Sequence, residues 1–68
     1  MNRISLLNEV GLFMIKVKED YKYNFISKDK YELIHIELSH LIDAISTTDL
    51  LISITKFYTI KTIYTIMK

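Results

Sequence analysis

Leu12-Phe13-Met14-Ile15-Lys16-Val17, followed by Lys18-Glu19-Asp20 and then Tyr21-Lys22-Tyr23-Asn24-Phe25-Ile26, separates a mixed fold from an all-helical one in this 68-residue chain. Phe13, Ile15 and Val17 alternate with Met14 and Lys16, and Tyr21, Tyr23 and Phe25 alternate with Lys22 and Asn24. A period of two is the pattern of a half-buried strand, and a polar break between two such runs predicts a β-hairpin. A three-residue loop sets Val17 opposite Tyr21, Ile15 opposite Tyr23 and Phe13 opposite Phe25, with Lys16 and Lys22 on the other face. Asp20 is the loop residue that tolerates a left-handed conformation.

Toward the N-terminus, Ile4, Leu7 and Val10 share a helical face. Asn2 or Ser5 stands near the start, and Gly11, the only glycine, is the expected stop. Toward the C-terminus, Asp29-Lys30-Tyr31-Glu32 has capping-box form and precedes Tyr31, Ile34, Leu38, Leu41 and Ile45 at helical spacing. Leu33, Ile36 and Ile42 widen the apolar area beyond that stripe and imply a second partner surface. Ser46-Thr47-Thr48-Asp49 punctuates the chain. From Ile52 to Ile66 nine of fifteen residues are β-branched, which favours a strand, although no glycine or proline separates one strand from a bent pair or a partly helical tail. The expected fold is α+β in the order αββαβ: a short N-terminal helix, a β-hairpin, one long amphipathic helix and a C-terminal β-strand. Residues 1–68 form one small domain, and an all-α helical hairpin is the alternative.

Composition narrows the function. The chain has no cysteine, hence no disulfide framework, thiolate nucleophile or cysteine-ligated zinc. Isoleucine (12), lysine (8), tyrosine (5), phenylalanine (3) and asparagine (3) dominate, a bias that points to an A/T-rich genome such as that of a low-GC bacterium, phage or plasmid. Residues 1–49 carry six basic and eight acidic side chains, whereas residues 50–68 carry Lys56, Lys61 and Lys68 and no acid. Three lysines and Arg3 offer too few phosphate contacts for nucleic acid. Lys56, Lys61 and four threonines interrupt the apolar run from Leu50 to Met67, which disfavours a membrane span. No secretory pattern opens the sequence, so a cytoplasmic location is expected.

Catalytic furniture is sparse. Glu32 with His35, and His40 with Asp43, have the three-residue spacing of helix-borne metal ligands, but a site needs further carboxylates from a facing element. No cofactor or metal is expected. Serines 5, 27, 39, 46 and 53 lack a glycine-rich elbow, and Glu19-Asp20 falls in an expected exposed turn.

Leu38-Ser39-His40-Leu41-Ile42-Asp43-Ala44-Ile45 resembles the Ser-Gln-Glu-Leu-Asp signature of the small helical-hairpin phosphatases that dephosphorylate the sporulation response regulator of bacilli. Ser39 and Asp43 are kept; His40 and Leu41 stand where that signature has Gln and Glu. The resemblance covers eight of 68 residues. It implies a helix over residues 3–22 and a role for Asp43 against the phospho-aspartate of a partner.

Tyr31, Phe57, Tyr58 and Tyr64 exceed what one small core needs, and exposed tyrosine is typical of protein interfaces. The function expected from the sequence is that of a small non-enzymatic modulator or inhibitor that binds another protein and self-associates as a homo-oligomer. The residues expected to carry binding are Tyr31, Leu33, Ile36, Phe57, Tyr58, Ile60 and Tyr64, together with a C-terminal strand edge. The alternatives are the aspartyl-phosphate phosphatase that the resemblance implies and a membrane-associated small protein.

Overall fold

Three short polar side chains each start a helix. Asn2 accepts a hydrogen bond from the Ser5 amide at 2.8 Å, Ser27 from the Lys30 amide at 3.3 Å, and Asp49 from the Leu51 and Ile52 amides at 2.9 and 3.4 Å. Each satisfies amide donors that the first helical turn leaves without partners. In the computed structural model, which describes residues 1–68, these caps open α1 (Arg3–Lys22), α2 (Lys28–Ile45) and α3 (Leu50–Met67). The chain is 82% helical and contains no strand, so the α+β expectation is overturned in favour of an all-helical bundle.

No hairpin forms: residues 12–22 belong to α1, and residues 23–26 make the turn that follows it. The same apolar residues that alternate in pairs also fall at helical spacing, and Val10, Phe13, Val17 and Asp20 meet the other two helices. Gly11 does not stop α1 but sits inside it. The reversal comes later, at Asn24, which takes φ 64° and closes a Schellman turn: the Asn24 amide donates to Tyr21 O at 3.0 Å and the Phe25 amide to Asp20 O at 2.8 Å. The long-helix expectation holds for α2, but its cap is Ser27, and Asp29 lies in the first turn, where a carboxylate favours the helix dipole.

The expected C-terminal strand is α3. Nine β-branched residues weaken a helix by roughly 0.5 kcal/mol each, yet an Asp49 cap and a buried stripe of Ser53, Phe57, Ile60 and Tyr64 outweigh that preference. Four threonines also settle into the helix by donating to the carbonyl four residues back: Thr55 to Leu51, Thr59 to Thr55, Thr62 to Tyr58 and Thr65 to Lys61, each at 2.9 Å.

Helices α1 and α3 run parallel to each other and antiparallel to α2. At one end, Arg3 donates to Ile45 O and Thr48 O, both at 3.0 Å, and so places a cation on the last carbonyl of α2 and on the turn after it. At the other, Lys30 donates to Met67 O at 2.9 Å and Asp20 of α1 meets Tyr64 of α3. Between these ends Leu6, Val10, Val17, Ile34, Leu38 and Ile45 are almost wholly buried with Phe57. Phe13 stands edge-on to Phe57 and Tyr64, with ring centres 5.9 and 5.4 Å apart. The bundle measures 34 × 17 × 17 Å.

Candidate protein-binding surface

A three-helix bundle of this length cannot enclose the apolar side chains that the sequence supplies. Eleven hydrophobic residues form the core, while fourteen large ones lie between 41% and 79% exposed. Eleven of the fourteen sit on the helices: Ile4, Leu7, Leu12 and Ile15 on α1, Leu33 and Ile36 on α2, and Leu51, Ile52, Tyr58, Ile63 and Ile66 on α3.

The seven residues expected to bind a partner divide by helical phase. Phe57, Ile60 and Tyr64 are core residues, because positions 57, 60 and 64 fall on the one stripe of α3 that faces α1 and α2. Tyr31 is half-buried, with its ring stacked on Tyr21 at 4.5 Å between centres. Leu33, Ile36 and Tyr58 are about half exposed. No strand edge exists to accompany them.

Leu33 borders a groove between α2 and α3, a space of about 570 Å³ whose floor is Ile34, Leu41 and Ile60. The α2 wall carries Leu33, Glu37, His40 and Ala44, and the α3 wall Thr55, Lys56, Thr59 and Ile63. The hydroxyls of Thr55 and Thr59 donate to their own helix, so these two residues offer the groove methyl groups and no hydroxyl in need of a partner. The sequence signal for this groove is the excess apolar width of α2. The α3 side is hidden from a period-two reading because Lys56, Thr59 and Ile63 share a face only on a helix.

Polar chemistry gathers at one place. Asp20, 8% exposed, accepts from the Tyr64 hydroxyl and pairs with Lys68 at 3.1 Å and Lys16 at 4.0 Å. The Tyr64 hydrogen bond, aided by Lys68 and Lys16, holds the Asp20 carboxyl below its ordinary value of 3.8 against the opposing effect of burial. Burial first, and the adjacent Asp20 second, push the Tyr64 hydroxyl above its ordinary 10.0. The Tyr64 hydroxyl and both lysines converge on one oxygen, Asp20 Oδ2, which makes the cluster a clamp between α1 and α3. Nowhere do three or more His, Asp or Glu side chains converge as a metal site would require. Ser53 is fully buried, with a hydroxyl that has no partner. Ser39 is half-buried, and Asp43, one turn on, is exposed.

No helix is long and apolar enough to cross a membrane. No protein family, curated protein or solved structure matches the chain.

Proposed function

We propose that the chain is a small non-enzymatic protein-binding modulator, which self-associates and holds or blocks another protein through its exposed apolar surface. The observation that carries this reading is the surplus of exposed large hydrophobic side chains over core ones, distributed on more than one side of the bundle. The outward sector of α1, with Ile4, Leu7 and Ile15 at helical spacing, is suited to a helix or a flat apolar patch of a target, and the α2–α3 groove lies on another side. The test is co-purification of the tagged chain from cells that naturally produce it, beside the double variant Ile4→Asp, Ile15→Asp. A stoichiometric protein retained by the native chain and lost from the equally helical variant is the expected result. Equal retention by both, or none by either, contradicts it.

A second reading is favoured by one observation: residues 3–22 are helical and form an antiparallel pair with α2, the arrangement that the phosphatase resemblance implies. Asp43 stands exposed on that pair. Under this reading the chain accelerates loss of phosphate from a phospho-aspartyl response regulator and Asp43→Ala abolishes the effect, whereas an unaffected rate in the variant removes the reading.

A further inference from the structure

The α2–α3 groove has walls of opposite charge. Glu37 stands on the α2 wall and Lys56 on the α3 wall, both exposed. The ion pairs of the chain join Lys16 and Lys68 to Asp20 and Lys28 to Glu32, so neither Glu37 nor Lys56 is committed within the monomer. We propose that the groove is filled by the same groove of a second copy of this chain, with α2 of each copy laid on α3 of the other. The inference rests on the protein-binding reading and assigns the self-associating surface within it.

A two-fold axis parallel to the helices, lying in the mouth of the groove, sets two grooves face to face and exchanges their walls. Each Glu37 then faces the partner's Lys56, and each Leu33, 50% exposed, approaches the partner's Ile63, 46% exposed. Laying α2 on α2 instead would set acid against acid and lysine against lysine, an arrangement that opposes association. A self-complementary interface needs one patch to supply both halves of each pair, and this groove supplies both from walls that one two-fold interchanges. The product is a four-helix layer of two α2 and two α3 helices, a packing in which apolar walls meet at the usual interhelical distance. The outward sector of α1 stays free for the target.

The experiment is sedimentation equilibrium of the full chain across the micromolar range, with circular dichroism on every variant. The native chain is expected to dimerise. Glu37→Lys and Lys56→Glu should each weaken the dimer by on the order of tenfold or more, through like charges brought face to face. An equimolar mixture of the two variants should restore it, because the introduced lysine meets the introduced glutamate. The combined variant Glu37→Lys, Lys56→Glu should dimerise as well. Helical, monomeric single variants that pair with each other separate a charge effect from misfolding. A native chain that stays monomeric, or a dimer indifferent to both exchanges, overturns the proposal. Target capture through α1 by a monomeric chain would overturn the dimer and leave the binding function standing; a dimer that captures nothing would do the reverse.

Discussion

The Tyr64 hydroxyl donates to the Asp20 carboxylate across 44 positions of sequence, and Lys68 reaches the same carboxylate oxygen at 3.1 Å. The two residues lie near the C-terminal ends of the parallel helices α1 and α3, and the bond fixes the level at which those helices stand beside each other. A buried carboxylate is stabilised by the neutral donor and the two lysines that meet its Oδ2; without the donor that oxygen loses its one neutral hydrogen bond in a poorly solvated place.

Tyr64→Phe keeps the ring against Phe13 and deletes the donor to Asp20. The expected loss of stability is about 1.5–3 kcal/mol, the usual worth of a hydrogen bond to a charged acceptor. Urea denaturation followed by circular dichroism measures it, and an unchanged midpoint would show that the bond contributes nothing.

The same pair sets a dependence on pH. Asp20 titrates lower in the folded chain than its ordinary 3.8, so its contribution is present above that value and is lost as pH falls through the lower, folded value. Tyr64 titrates above 10.0, so its contribution is present below that pH and is lost as pH rises toward the folded value. Asp20→Asn should therefore flatten the acid limb of the stability profile. An acid limb identical to that of the native chain would assign acid unfolding to other carboxylates.

Neighbouring aromatic residues on α3 should differ sharply. Phe57 is 1% exposed and Tyr58 51% exposed. Phe57→Ala removes a ring that touches Phe13 and is expected to cost about 3–5 kcal/mol, enough to unfold most of a small domain. Tyr58→Ala should change stability by roughly 0.5 kcal/mol or less. Thermal melts of the two variants check the contrast, and comparable losses would place both rings in the core.

Two substitutions should stabilise the chain. A β-carbon at Gly11 meets nothing within 4 Å, so Gly11→Ala is expected to add about 1 kcal/mol from helix propensity alone. Ser53 buries a hydroxyl without a partner, and Ser53→Ala removes that unmet group while it improves the helix. Denaturation midpoints that fall in either variant would reveal contacts that the monomer does not contain.

The sequence made α2 legible because Ile34, Leu38, Leu41 and Ile45 repeat at helical spacing between polar residues, and all four are buried. The break at Ser46–Asp49 was legible too, and it is the turn before α3. Helices α1 and α3 were not, for two physical reasons. In residues 12–22 lysines and aromatics satisfy periods of both 2 and 3.6, and tertiary contact of Phe13 and Asp20 with α3 selects the helix. In α3 local β preference is real but is overridden by a cap, by threonine back-bonds and by burial of Phe57 and Tyr64. The same ambiguity hides the burial of Phe57, Ile60 and Tyr64, which turn inward together only when residues 50–67 are helical. The excess apolar width of α2 was visible from Leu33 and Ile36; the groove that Leu33 borders needs α3 as its second wall.

Backbone chemical shifts, assigned residue by residue by NMR on the native chain, read the three-helix bundle that creates the groove and the α1 surface alike. The bundle requires helical shifts throughout 3–22 and 50–67, with the break at Asn24. Extended shifts over 12–17 and 21–25, or over 52–66, would contradict it and remove the binding surface with the fold.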